Sequence, residues 1–465
     1  MLIELGNLWT TVLHYSQDEW EFLHENLTFV DPRVHYVPAM KNMPPTRLFS
    51  KKKGGFPAGL TPIIVRDARA AGFDVEVADR RTPPTPVADA NLKWLRDYQM
   101  DAIKAVERRK RGILWLPTGA GKTEIAIGIM RRYPGKWLFV AHKKGLMYQA
   151  AERYNLRLAE HDEDGEEAGL CGDGKWEPSD VTMATFQTLA SKRKTEAFEE
   201  LVEGMTGIIV DECHTLPADS FYRTIMGIDC QLRIGVSGTP LARGDKRSLM
   251  AVAALGPTIH RLKTDVLVEA GVLAKPRIRM IEVEQKDPQR SNWQSTYKAG
   301  VVQGKRRNRA LVLAAAEAAK PCLLFVKQVN HGKGLLKDLK EAGVPTEFVW
   351  GDKSQKVRER AIHRLVHGDT DVLICSVIFQ EGTDIPDLRS VVIGSAGKSV
   401  IAAIQRVGRG MRKVEGKDDF EVWDIADKGI PALEKHARAR ARAYLREGYE
   451  VVMEDGLQQT LNGVR

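Results

Sequence analysis

Cysteine is scarce. The 465-residue sequence has five, at Cys171, Cys213, Cys230, Cys322 and Cys375. None stands in a Cys-x-x-Cys pair, so neither a zinc ribbon nor a disulfide framework is indicated. Cys213, Cys322 and Cys375 lie in apolar or motif surroundings and read as reduced core thiols. Long apolar runs are also missing. No stretch approaches the roughly eighteen residues that a membrane span needs, so no membrane partner is expected. The opening residues Met1-Leu2-Ile3-Glu4-Leu5-Gly6 have neither a basic start nor a sustained apolar stretch, which argues against a secretory signal and for a cytoplasmic protein. Acidic residues are in deficit, 61 Asp+Glu against 70 Lys+Arg, and the net charge of +9 favours a polyanionic partner. The length suffices for two or three domains, each with its own core.

The most informative stretch is Leu116-Pro117-Thr118-Gly119-Ala120-Gly121-Lys122-Thr123. It follows an apolar run, Gly112 to Trp115, and precedes a helix-like run, Glu124 to Met130. Strand, glycine loop and helix in that order form the setting of a phosphate-binding loop. Gly119 and Gly121 let successive backbone N–H groups turn toward an anion, and the helix N-terminus adds its positive end. Lys122 would neutralise the β- and γ-phosphates of ATP, and the Thr123 hydroxyl would ligate Mg²⁺. The first glycine of the usual pattern is replaced by Leu116.

A second signal lies downstream. Gly207-Ile208-Ile209-Val210 reads as a buried parallel strand and runs into Asp211-Glu212-Cys213-His214. The carboxyl ends of strands are where an open α/β sheet carries its ligand chemistry. Asp211 suits Mg²⁺, and Glu212 suits a proton of the attacking water.

Together with further motifs in the same order, these stretches resemble the superfamily 2 helicases and translocases of the DExH kind. The resemblance covers residues 92 to 428. Arg96-Asp97-Tyr98-Gln99 stands where that family reads adenine, which implies nucleotide contacts for Arg96 and Gln99. Leu138 to Leu146 resembles motif Ia, implying backbone contacts by His142 and Lys143. Thr185-Phe186-Gln187-Thr188 resembles a second backbone-contacting motif, through Thr185 and Gln187. Ser237-Gly238-Thr239-Pro240 resembles the motif that couples nucleotide state to nucleic-acid grip, through Ser237 and Thr239. Gln380 to Pro386 resembles motif V, implying a DNA contact by Thr383 and a nucleotide contact by Asp384. Gln405-Arg406-Val407-Gly408-Arg409-Gly410-Met411-Arg412 resembles motif VI, implying catalytic roles for Gln405, Arg409 and Arg412. ATP and Mg²⁺ are the implied cofactors.

Alternating strands and helical stretches argue for an α/β fold with parallel sheets. The resemblance makes this two tandem RecA-like domains with a small N-terminal α+β domain. The expected layout is an N-terminal accessory, DNA-binding domain over 1–88, a first RecA-like domain over 89–262, a connecting segment over 263–318, and a second RecA-like domain with a helical tail over 319–465. A proline-rich stretch, Arg80 to Pro86, marks the first boundary. The loop Ser50-Lys51-Lys52-Lys53-Gly54-Gly55-Phe56 reads either as a solvated hairpin tip or as a phosphate-contacting loop, Lys51, Lys52 and Lys53, with a stacking Phe56. The acidic, glycine-rich stretch 159–180 reads as a solvated insertion. In the tail, Arg438, Arg440 and Arg442 cannot share one helical face, and a surface helix packed on the second domain is expected.

Within the superfamily, Cys213-His214, Ser-Gly-Thr and Gln405 point away from DEAD-box RNA helicases. The layout is most similar to UvsW-type phage branch-migration helicases and to the XPB-like and restriction-translocase group. That resemblance implies action on branched DNA, by branch migration, fork regression and D-loop or R-loop unwinding, in replication, recombination or repair. It implies DNA as partner, alongside single-stranded-DNA-binding or recombination proteins. The alternatives are an RNA-directed helicase and the motor subunit of a nuclease or restriction-type complex. No carboxylate–lysine nuclease cluster is evident in the sequence.

Overall fold

The computed structural model describes the chain except residues 32–33, 35–40, 82–83, 89, 161–164, 239–247, 291, 352, 377–384, 386, 398–409 and 455–465. Two compact units result: Met1–Pro117 with Gly121–Leu262, and Thr118–Ala120 with Lys263–Arg465.

The first unit opens with strands β1 (Leu2–Leu5), β2 (Trp9–His14), β3 (Thr28–Phe29), β4 (Thr46–Arg47), β5 (Gly55–Pro57) and β6 (Glu76–Asp79). A four-stranded sheet runs β5-β2-β1-β6, with β1 parallel to β6 and antiparallel to β2. Helix Gln17–Asn26 starts at a capping box, where Ser16 and Glu19 each satisfy the other's backbone N–H. The core of this sheet is shared with the rest of the unit. Ile3, Leu23, Phe56 and Leu60 pack with Met250, Val252 and Ala253 of helix Ser248–Leu255. That helix is apolar all round, and such a helix is stable only when covered on all sides.

The large sheet adds β7 (Arg111–Trp115), β8 (Lys136–Ala141), β9 (Gly169–Gly172), β10 (Lys175–Glu177), β11 (Val181–Thr185), β12 (Met205–Asp211), β13 (Leu232–Ser237) and β14 (Thr258–Arg261). Their order is β10-β9-β11-β8-β12-β13-β7-β14, parallel except for the β9–β10 hairpin. That hairpin corrects the expectation of a solvated insertion over 159–180. Cys171 is fully buried and belongs to the core of the unit.

The second unit holds β15 (Lys275–Glu284), β16 (Cys322–Val326), β17 (Thr346–Val349), β18 (Val372–Ser376), β19 (Ser390–Ile393), β20 (Asp419–Lys428) and β21 (Glu450–Glu454), in the parallel order β17-β18-β16-β19-β20-β15-β21. Residues 263–318, expected as a connector, supply β15 and helix Lys305–Glu317 to this unit; Ile281, Leu311 and Ala314 lie in its core. The Ala/Leu face of that helix packs on β15, β19 and β20, which is the reason the segment is built in. Among the described residues, no helix is long and apolar enough to cross a membrane.

His331 is buried in this core, with Nε2 2.8 Å from Asn308 Oδ1. Burial, and secondarily the charge of Arg307, push its imidazole down to about 3. As pH falls below about 6.5 the unfolded chain takes up a proton that the folded chain refuses, so stability is lost between 6.5 and 3. Between pH 7 and 5 this amounts to about 2 kcal/mol. Urea unfolding at the two pH values should show a loss smaller by that amount in His331→Gln than in the wild type.

Candidate nucleotide and nucleic-acid site

The parallel register gathers the motifs at one edge of the large sheet. Asp211 of β12 pairs with Val236, Ser237 of β13 pairs with Trp115 of β7, and Thr185 of β11 pairs with Ala141 of β8. The chain leaves β7 into the phosphate loop, whose first residue donates Leu116 N–H to Ser237 O at 3.0 Å. Gly121 has φ +74° and caps helix Lys122–Arg132. A Cβ at Gly121 would stand 2.4 Å from Gln99 Nε2, so only glycine lets the loop lie against that amide.

Gln99 is buried, and its Oε1 accepts the Arg96 backbone N–H at 2.9 Å. The glutamine expected to read adenine is thus fixed at the start of helix Asp97–Arg109, with its amide nitrogen at the phosphate loop. Trp94, which the sequence reading passed over, completes this corner. Its Nε1 donates to Glu124 Oε2 at 3.1 Å, and Arg157 donates to the same carboxylate at 2.9 Å. The Arg131 guanidinium lies 5.0 Å from the Trp94 ring centre. Its position two residues before Arg96 was the available signal.

Across the edge, Asp211 is buried and accepts the Glu212 backbone N–H at 3.0 Å. Glu212 is held in the left-handed region, φ 46°, which a non-glycine residue adopts only under constraint. The constraint is visible. Glu212 Oε1 lies 4.0 Å from Lys122 Nζ, while Oε2 accepts from Ser237 Oγ at 3.2 Å and faces His214 Nδ1 at 3.2 Å. His214 Nδ1 also lies 3.0 Å from Ser237 Oγ. Burial works against the Glu212 charge, but Lys122, His214 and Ser237 outweigh it and hold the carboxyl down to about 2. Burial and the Glu212 charge push Asp211 up to about 6. His214 is the partner that sequence reasoning named only as a motif letter.

A divalent cation fits this arrangement. Asp211 is a buried carboxylate whose ionisation costs energy beside Glu212, and a cation against it removes that cost. Among the described residues no group of three or more His, Cys, Asp or Glu is arranged to hold a metal ion by itself. Mg²⁺ is commonly held by one or two protein oxygens with phosphates and water, so Asp211 and Thr123 are a sufficient set.

The proposed nucleic-acid residues divide. His142 and Lys143 follow β8, Lys143 is exposed, and Gln187 Nε2 donates to His142 O at 3.2 Å, joining the two motifs. Thr185 is buried and caps helix Phe186–Lys192 with its hydroxyl, so that hydroxyl faces inward rather than toward a ligand. Lys51, Lys52 and Lys53 are exposed; Lys53 Nζ sits 4.2 Å above the Trp9 ring. Phe56, expected to stack on a base, is fully buried in the N-terminal core. In the second unit, Arg412 has an exposed side chain and a backbone bridge to Leu273. Thr239, Thr383, Asp384, Gln405 and Arg409 lie outside the described residues.

Residues 92–242 match the family described as the type III restriction enzyme res subunit, and residues 306–414 match the helicase conserved C-terminal domain. A Halobacterium salinarum protein named Rad25 is 28% identical over 376 residues, 78% of this chain and 58% of its own length. The ATP-dependent DNA helicase uvsW of Enterobacteria phage T4 is 27% identical over 389 residues, 77% of this chain and 76% of its own. The chain spans less than two thirds of the length of the archaeal Rad25 proteins that it matches. In fold it is similar to the HsdR subunit fragment of a type I restriction enzyme from Vibrio vulnificus, with TM-score 0.56 and 20% identity over 78% of this chain and 69% of that one. Two helicase-core domains in tandem, each on its own parallel sheet and with the phosphate loop in the first, place this chain in helicase superfamily 2.

Proposed function

We propose that the chain is an ATP-dependent DNA translocase that remodels branched DNA. The observation that carries the ATPase reading is the cluster Lys122–Glu212–Ser237–His214 beside Asp211, at the carboxyl edge of one parallel sheet. Lys122 and the loop N–H groups hold the β- and γ-phosphates, and Thr123 and Asp211 hold Mg²⁺, whose bound charge would offset that developing on the phosphates. Gln99 and Arg96 receive the base. Glu212, ionised and fixed by Ser237 and His214, aligns the attacking water. In a loose phosphoryl-transfer transition state, alignment matters more than base strength, so a carboxyl near 2 suits the role. Gln405, Arg409 and Arg412 supply positive charge to the transferring phosphoryl group, with Asp384 at the nucleotide. His142, Lys143, Gln187, Thr383 and the lysines 51 to 53 are assigned to DNA backbone, Thr185 to the helix cap that holds Gln187 in place, and Ser237 and Thr239 to coupling. Ser237 suits coupling because it touches the residue that senses the γ-phosphate.

DNA as substrate is supported by the names of relatives: an ATP-dependent DNA helicase of phage T4 and a DNA 3′-5′ translocase of Sulfurisphaera tokodaii. The match to restriction subunits favours a second reading, a motor acting within a nuclease assembly. Incubation of the full chain with ATP and Mg²⁺ on a synthetic four-way junction and a fork separates the two. Conversion to branch-migrated products, absent in Lys122→Ala, is expected. Unwinding of RNA duplexes with no junction conversion would overturn the DNA reading; DNA-stimulated turnover without conversion would favour the motor.

A further inference from the structure

An aromatic groove in the N-terminal part of the first unit takes no part in the ATPase site. Along helix Gln17–Asn26, Trp20, Glu21, His24 and Glu25 recur at helical spacing and share one face. Opposite them, Arg47, Phe49 and Lys51 alternate along the segment that leads from β4 into the turn at Lys51, so they too share a face. Leu48 between them is buried and donates its N–H to Leu27 O at 2.8 Å, which fixes this segment against the end of the helix. The two faces line an open cavity of about 610 Å³. Small-ligand pockets run to ~300–1,000 Å³, so there is room for a nucleotide.

The cavity is aromatic at its centre. Trp20 and Phe49 meet edge to face with ring centres 4.9 Å apart, and Tyr15 stacks on Trp20 at 5.7 Å. Trp20 and Phe49 are partly exposed and Tyr15 is half exposed, so the rings stand in water. The two walls carry opposite charge, Glu21 and Glu25 on the helix and Arg47 and Lys51 across from them. No ion pair joins these four residues; Glu21 instead accepts from Gln17 Nε2 at 2.8 Å, on its own helix.

The occupant that satisfies both walls and the rings is flat, anionic on one side and rich in hydrogen-bond donors on the other. An unpaired nucleotide has that distribution. Its phosphates suit Arg47 and Lys51, with Lys52 next along the exposed turn; its π-face suits Trp20 and Phe49; an exocyclic amino group suits a carboxylate. A basic peptide would meet Arg47 and the lysines, and a paired duplex offers no free base face. We propose that this groove holds an unpaired base of single-stranded DNA, stacked on Trp20 and Phe49, with its backbone on Arg47 and Lys51 and its amino edge toward Glu21 and Glu25. The inference rests on the DNA reading above. It supplies the lysines 51 to 53 with the stacking partner that the buried Phe56 cannot be, and it suits a motor at a branch point, where unpaired bases are on offer.

The test measures binding of the full chain to an oligodeoxycytidylate and an oligothymidylate of equal length, without ATP. The cytosine strand should bind about five-fold more tightly, because cytosine carries an amino group for a carboxylate and thymine does not, whereas motifs that hold backbone are indifferent to the base. Trp20→Ala should weaken binding of the cytosine strand about ten-fold and leave its salt dependence unchanged, since a stacking contact is lost and no phosphate contact. Trp20→Phe, which keeps a ring, should recover most of that affinity. A strand bearing photoreactive iodocytosine should crosslink to Tyr15, Trp20 or Phe49 of the wild-type chain, read by mass spectrometry of its peptides; this needs no variant and decides the matter if Trp20→Ala does not fold. Equal binding of the two strands, wild-type affinity in Trp20→Ala, or adducts confined to the rest of the chain would overturn the proposal and leave the DNA reading standing. A wild-type chain that binds an RNA strand and neither DNA strand would remove both.

Discussion

Lys122→Ala should lower ATP turnover by about 10³-fold, with circular dichroism and thermal unfolding close to wild type. The side chain is partly exposed, and its ion-pair contact is Glu212 at 4.0 Å, so little folding energy is at stake. What is lost is electrostatic. Lys122 is the cation that favours ionisation of both Asp211 and Glu212 and that would meet the β- and γ-phosphates. Without it, two adjacent buried carboxyls and a polyphosphate would face one another with only the loop N–H groups and the metal to balance them. Turnover at the wild-type rate in a clean preparation would sink the site assignment.

Arg412→Ala should leave ATP binding largely intact and reduce the single-turnover hydrolysis rate by about 10³-fold or more, the scale of an arginine supplied to a phosphoryl-transfer transition state. The backbone of Arg412 is anchored by the bridge to Leu273, and its side chain is exposed, so the substitution removes a charge and leaves the strand pairing in place. Nucleotide affinity by fluorescence titration, measured beside single-turnover hydrolysis, separates the two effects. Lost affinity with a normal hydrolytic rate would contradict the role.

The ATPase edge was legible because its signals are local. A strand, a glycine loop and a helix follow one another at Gly112–Met130, and a β-branched run ends in Asp211-Glu212. Parallel pairing then brings these ends together without further instruction from sequence. The failures were all matters of tertiary context. Lys51–Gly54 does form an exposed turn, closed by the Ser50–Gly55 bridge, but Phe56 does not stack outward: the Thr10 carbonyl oxygen would lie 1.9 Å from a Cβ on Gly55, and that close strand pairing carries Phe56 into the core. Thr185 reads as a polar surface residue in a motif, but its hydroxyl is spent on a helix cap. The alternate arginines of the tail were read correctly as unable to share a face; which one turns inward depended on Asp424, sixteen residues away. The link between His214 and Ser237 was likewise invisible, since it depends on the register of β12 against β13.

ATP turnover by the purified full chain tests the central claim most directly, measured with no nucleic acid, single-stranded DNA, linear duplex, synthetic fork, four-way junction and RNA, with Lys122→Ala beside each. The account predicts turnover that rises most with the fork or junction and vanishes with Lys122→Ala on every substrate. Turnover stimulated by RNA alone, or turnover that survives Lys122→Ala, would contradict it.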